Sequence, residues 1–257
     1  GVLVLGPLLA KFKKAKVSLP GGCAIGTRPV DIHLFALKKL GAQIKIKNGY
    51  IYAVAKDGLK GNTIKFPSIS VGATENAIIA AVNAKGKTTL SNCALEPEIK
   101  DLIIFLKKLG CDISSNKRKI VINGQKNFKQ VSHEIMFDRI ELGTYLIASG
   151  LMGKKITFLR VQPKIIKTEL RILKKMGIKL IQKRNSITVL KSEEIKTINI
   201  KTEPYPGFPT DLQAQFMALM TYSNGRSKIK ETIFENRFMH VQELVRLGAK
   251  IELQSDT

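Results

Sequence analysis

Tryptophan is absent, and tyrosine and phenylalanine together supply only 16 of 257 residues. Aromatic side chains are thus 6% of the chain and are not interleaved with its basic pairs, which argues against a surface built to stack on bases. Cysteine is scarce too: Cys23, Cys93 and Cys111 are odd in number and widely spaced, so no disulfide framework is indicated. A reducing cytoplasm is the natural compartment for such thiols. Together with His33, His133 and His240 they give no metal-ligand spacing, and no cofactor is called for. No apolar run approaches the length needed to span a bilayer, so no membrane partner is expected. The apolar stretch 1–10 has no basic region before it and does not read as a signal peptide.

Acidic residues are also few. Twenty Asp and Glu face 43 Lys and Arg, for a net charge of +23. Such a balance can signal nucleic acid. Lysines, however, outnumber arginines 34 to 9 and isoleucine is abundant, as in a lysine- and isoleucine-biased proteome. The pairs Lys38-Lys39, Lys107-Lys108 and Lys174-Lys175 also recur at one place in a repeat, which marks them as solvated helix faces. We therefore read the charge as composition and expect small anionic partners in place of nucleic acid.

What is present is a repeat. The segments ending in Gly41, Gly110, Gly177 and Gly248 echo one another, with the glycines 69, 67 and 71 residues apart. Each reads as a helix, a glycine cap and one or two strands, expected at 43–46 with 50–54, 119–122, 178–181 with 186–190, and 250–253. Seven residues before each glycine stand Leu34, Ile103, Leu170 and Val241, the inward face of the helix. Eleven before stand Val30, Ile99, Ile166 and Arg237. A charge in a slot otherwise filled with hydrocarbon needs a partner, either an ion pair or a ligand. Between these segments lie helices rich in Ala and Gly, expected over 70–84, 138–151 and 211–220. Asp138 with Glu141, and Thr210 with Gln213, have the spacing of capping boxes. The pattern predicts a layered α/β protein of two domains, 1–133 and 134–257, parted after the polar stretch 123–133.

Four places carry chemistry. Cys23 sits among Gly21, Gly22 and Gly26 with nothing to bury. A free cysteine is usually inert, but this setting can carry a thiol over a ligand, and with no histidine close by it suits a proton donor as well as a nucleophile. Arg28 precedes a helix expected from Pro29, a setting for phosphate or carboxylate, or only a surface arginine. Ser70-Val71-Gly72 opens a helix whose amides could cradle a second phosphate, although many helices begin so. Asp211 lies in the first turn of a helix, where the dipole favours the anion; to act as a base it needs burial or a hydroxyl held close.

The stretch Leu19-Pro20-Gly21-Gly22-Cys23-Ala24-Ile25-Gly26-Thr27-Arg28-Pro29-Val30-Asp31-Ile32-His33 resembles the reactive-loop motif of the UDP-N-acetylglucosamine 1-carboxyvinyltransferase family, enolpyruvyl transferases related to EPSP synthase. Ser70-Val71-Gly72-Ala73-Thr74, Glu96-Pro97-Glu98, Phe208-Pro209-Thr210-Asp211 and Thr232-Ile233-Phe234-Glu235-Asn236-Arg237 match further motifs in the same order. The resemblance implies inside-out α/β barrel domains of repeated βαβαββ units, two of them, truncated here at both ends. It implies transfer of the enolpyruvyl group from phosphoenolpyruvate to the 3′-hydroxyl of UDP-N-acetylglucosamine, the first committed step of peptidoglycan synthesis.

On the same resemblance, Cys23 is the proton donor and fosfomycin target, and Asp211 the base or hydroxyl acceptor. Arg28, Pro29, Val30, Asp31 and Ile32 line the UDP-sugar site. Ser68, Ile69, Ser70, Val71 and Gly72 hold the diphosphate, Ile233 meets the uridine through its backbone, and Arg237 faces phosphoenolpyruvate. The family's N-terminal lysine–asparagine pair and its closing C-terminal arginine have no counterpart, so this segment alone is expected to be inactive.

Overall fold

The computed structural model describes residues 1–21 and 30–254. They fall into two compact units that part between Ile135 and Met136. Each has its own buried apolar cluster.

The first unit begins with α1 (Leu5–Phe12) and β1 (Lys14–Ser18), then α2 (Asp31–Lys39) and the hairpin of β2 (Gln43–Lys47) and β3 (Tyr50–Val54). One full βαβαββ repeat follows: β4 (Thr63–Lys65), α3 (Val71–Ala81), β5 (Lys87–Ser91), α4 (Pro97–Lys108), β6 (Asp112–Asn116) and β7 (Lys119–Asn123). Its strands are ordered β4-β5-β7-β6, with β4 and β5 parallel across the α3 crossover and the rest antiparallel. The earlier strands are ordered β1-β3-β2, all antiparallel. Helices form the inside. Ala73, Ala77, Ala80 and Ala81 of α3 are fully buried because α1, α2 and α4 all pack on it, and only methyl-sized side chains allow that approach.

The second unit repeats the pattern with α5 (Arg139–Met152), β8 (Ile156–Leu159), α6 (Lys167–Lys175), β9 (Leu180–Lys183) and β10 (Ser186–Val189). Then come β11 (Asn199–Lys201), a 3-10 turn Thr210–Leu212, α7 (Gln213–Met220), β12 (Lys228–Lys230) and α8 (His240–Arg246). β8-β10-β9 is antiparallel, and β11 pairs with β12 in parallel.

The repeated glycines have a common physical cause. Gly41, Gly110, Gly177 and Gly248 have φ of 96, 94, 91 and 99°, which side chains with a Cβ rarely adopt. Each donates to the carbonyl three residues back, and the next residue donates to the one five back, closing a Schellman motif. Ala42, Cys111 and Ile178, the residues after the first three glycines, are buried in consequence. The lysine pairs occupy the last turns of α2, α4 and α6, where the helix dipole favours cations.

Two expectations are corrected. Residues 250–253 form no strand: the corresponding strands β2, β6 and β9 each pair with a following hairpin partner, and no described strand pairs with 250–253. Asp138 does cap α5, its Oδ1 accepting from Ile140 and Glu141 amides at 2.8 and 3.0 Å. Thr210 does not cap α7 with Gln213; it lies inside the 3-10 turn and its hydroxyl donates to Glu231 instead.

Candidate functional site

In the first unit the described site residues gather at two helix starts. Val30 is the residue before α2, Asp31 is exposed in its first turn, and Ile32 packs on the core. Ser70 caps α3 in extended conformation, its hydroxyl accepting from the Ala73 amide at 3.3 Å. Thr74 Oγ1 donates to the Ser70 carbonyl at 2.7 Å and accepts from the Ala94 amide, pinning the turn from behind. Val71 and Gly72 supply first-turn amides, which have no intrahelical acceptor. Ser68 is exposed, whereas Ile69 packs on the core.

His33 joins these two starts. A Cβ at Gly72 would meet its Cε1 at 3.0 Å and its Nε2 at 3.3 Å, a tight approach that a larger residue would keep only by shifting the ring by a few tenths of an ångström. Asn76 Oδ1 accepts from the Gly6 amide at 2.7 Å, which turns Asn76 Nδ2 toward His33 Nδ1 at 3.2 Å. Nδ1 therefore accepts, and the ring proton of the neutral form is assigned to Nε2, beside the α3 start. Burial lowers the His33 pKa, opposed by the charge of Asp31. On α3 burial raises Glu75, helped by the like charges of Glu98 and Glu96. Gly22, Cys23, Arg28 and Pro29 lie outside the described residues.

In the second unit Asp211, Ile233 and Arg237 come together. Arg237 Nη2 lies 2.7 Å from Asp211 Oδ1 and 3.5 Å from the Thr210 carbonyl, with its guanidinium 5.6 Å from the centre of the Phe234 ring. The charge that replaces hydrocarbon in the fourth repeat therefore has its partner. Asp211 sits in the 3-10 turn ahead of α7, its side chain 57% exposed, above Leu212, which is fully buried. Ile233 is exposed, and its amide donates to Glu231 Oε1 at 2.8 Å, so its carbonyl is what its backbone offers a ligand.

Sequence reasoning missed His33, Asn76 and Glu231. A single His one turn into a helix, and an isolated Glu between Lys230 and Thr232, carry no signal of burial in the sequence. Cys93 and Cys111 are core: burial raises both thiols, Cys93 to about 12. Among the described residues no group of His, Cys, Asp and Glu is arranged to hold a metal, and no helix is long and apolar enough to cross a membrane.

Repeated βαβαββ units with helices inside describe one class of protein. The family model for EPSP synthase (3-phosphoshikimate 1-carboxyvinyltransferase) matches residues 1–257, and the chain belongs to that family. Within it, the chain is 63% identical over its whole length to a UDP-N-acetylglucosamine 1-carboxyvinyltransferase of Pelagibacter ubique, and 49% identical over 98% of its length to one of Gluconobacter oxydans. It spans 62% and 60% of those two proteins. Among solved structures, the enolpyruvyl transferase NikO from Streptomyces tendae superposes with a TM-score of 0.85 at 21% identity, over 99% of this chain and 61% of that one. EPSP synthase from Acinetobacter baumannii superposes with a TM-score of 0.69 at 18% identity, again over 99% and 61%. At these identities the two structures share the fold with this chain.

Proposed function

We propose that this chain supplies the larger part of an enolpyruvyl transferase that takes phosphoenolpyruvate and UDP-N-acetylglucosamine and releases phosphate. The ion pair of Asp211 with Arg237, in a slot that the other repeats fill with Val30, Ile99 and Ile166, carries the reading: it gives one unit a carboxylate and a guanidinium to serve a hydroxyl and an anion. The identity of 63% to the Pelagibacter ubique protein supports the choice of sugar nucleotide.

In this reading Asp211 accepts the proton of the 3′-hydroxyl, whose oxygen bonds to C2 of phosphoenolpyruvate while Cys23 delivers a proton to the C3 methylene. Loss of phosphate from C2 and of a proton from C3 then restores the double bond. Arg28 and Arg237 stabilise the phosphoenolpyruvate charges. The uridine and diphosphate are held by Pro29, Val30, Asp31, Ile32, Ser68, Ile69, Ser70, Val71, Gly72 and the Ile233 backbone. We assign 1–133 to the domain that carries Cys23 and 134–257 to the domain that carries Asp211. The setting is the cytoplasm, the product feeds cell-wall peptidoglycan, and fosfomycin alkylates Cys23.

The test is a chimera in which this chain replaces the matching part of the Pelagibacter ubique protein. Given both substrates it releases phosphate, whereas the 257-residue chain alone does not. A chimera that folds yet releases none, or that consumes 3-phosphoshikimate in preference to the sugar nucleotide, overturns the proposal.

A further inference from the structure

We infer that Glu231 is a positioning residue for the proposed reaction, its buried carboxylate fixing where Asp211 and the Ile233 backbone stand. The inference rests on the function proposed above. Glu231 is 3% exposed and follows β12 directly, beside Thr202, which follows β11 and is fully buried. Its Oε1 accepts from Thr202 Oγ1 at 2.8 Å, from the Ile233 amide at 2.8 Å and from the Phe234 amide at 3.3 Å. Its Oε2 accepts from Thr210 Oγ1 at 2.9 Å. Thr202 Oγ1 in turn accepts from the Thr232 amide at 2.8 Å.

These bonds close a circuit. From the carboxylate one arm runs through Thr210 to the turn bearing Asp211, and the other through Ile233 and Phe234 to the loop bearing Arg237. Arg237 joins the two arms through Asp211 Oδ1 and the Phe234 ring. Charge-assisted bonds to a buried carboxylate are short and hard to replace, so both arms are held in one arrangement.

The chain contains its own comparison. In the first unit the parallel pair β4 and β5 ends in Phe66 and Asn92 at the places of Thr202 and Glu231, and the Phe66 amide donates to Ser91 O as the Thr202 amide donates to Lys230 O. There the position is closed by a buried phenyl ring, with Asn92 Nδ2 donating to the Phe66 carbonyl at 3.0 Å. In that copy hydrocarbon fills the position that Thr202 holds here. The hydroxyl–carboxylate–hydroxyl arrangement stands only where Asp211 must be placed, among the described residues of the two parallel pairs.

The chimera tests this with Glu231→Ala, Glu231→Gln and Thr210→Val, each normalised to folded protein. Misplacing a reacting group by about 1 Å costs on the order of 10²-fold in rate. Glu231→Ala should lower kcat about that much. Glu231→Gln should lose less, because its amide oxygen keeps the three Oε1 donors and Thr210 can turn to accept from its NH2. Thr210→Val should lower kcat while leaving exchange of the Ile233 and Phe234 amides slow, whereas Glu231→Ala in the 257-residue chain makes both fast. A purely structural carboxylate lowers the unfolding midpoint and leaves kcat of the folded fraction within twofold; that result, or equal kcat for Ala and Gln, overturns the inference. Should Glu231→Ala not fold, an unchanged kcat in Thr210→Val overturns it. No release by the parent chimera removes the proposed function, and the inference with it; release unaffected by these variants removes the inference alone.

Discussion

Arg237 and Asp211 form an ion pair of 2.7 Å in which the guanidinium is largely covered, 17% exposed, and the carboxylate is open to water at 57%. The asymmetry matters. The arginine is held by the protein while the acid keeps a face free for a ligand.

Asp211→Asn in the chimera is therefore expected to lower phosphate release by about 10²- to 10⁴-fold, the range for a positioned acid–base group. Its effect on stability should stay under about 1 kcal/mol, because a pair with one partner in water contributes little. Steady-state rates and urea unfolding of the same preparation check both. A variant retaining its rate would remove Asp211 from the chemistry.

Gly143 of α5 faces Leu212, and a Cβ there would lie 2.5 Å from Leu212 Cδ1. Gly143→Ala must push the residue next to Asp211, at a cost of about 1–3 kcal/mol from overpacking. Urea unfolding should show the loss, with a fall in turnover that exceeds any loss of folded protein.

His33 and His240 contribute to the pH dependence of stability with one sign and Glu75 with the other, since burial lowers the former and raises the latter. His33 and His240 are lowered below 6.5 chiefly by burial, opposed at His33 by Asp31 and reinforced at His240 by Arg237. Unfolded, each takes a proton near pH 6.5; folded, only at lower pH. The unfolded state then binds more protons at the two histidines, so their contribution to stability falls as pH drops through about 6.5 and keeps falling until the folded values are passed. From about pH 7.5 to 5.5 the urea midpoint of the parent should fall relative to that of His33→Gln, which can still accept from Asn76. Equal slopes in the two proteins would count against a buried neutral His33.

Cys93 is fully buried with its thiol pushed up to about 12, and Cys111 is raised by burial in its Schellman cap. At about pH 8 neither presents appreciable thiolate. Iodoacetamide should leave both unmodified in the folded chain and alkylate them after urea, as read by peptide mass spectrometry. Labelling of Cys93 in the native protein would contradict its burial.

What the sequence made legible was whatever backbone geometry enforces locally. Gly41, Gly110, Gly177 and Gly248 are readable because a left-handed cap excludes other residues, and after the first three the turn leads into a strand within two or three residues. β6 was missed because Asp112–Asn116 has one buried residue, Ile113, and no alternation to see. β4 and β11 are three residues each, too short for a period. Thr210 read as a cap because Gln213 stands three residues on, but the acceptor that wins lies 21 residues away in Glu231. Partners that distant belong to the fold, not to any window of sequence. The Asp211–Arg237 pair was half legible: the repeat flagged a misplaced charge at Arg237, and only coordinates could say what answers it.

The inward position of the helices has a bearing on how such a protein changes over generations. Because α1, α2 and α4 enclose α3, almost no substitution along it can be absorbed without disturbing a neighbour. The outward faces of the sheets, with Lys14, Lys16, Lys45, Lys47, Lys65 and Lys87 in water, have no such constraint. Mutation can recolour that shell freely, so its electrostatics record ancestry while the alanine-lined centre preserves the machine.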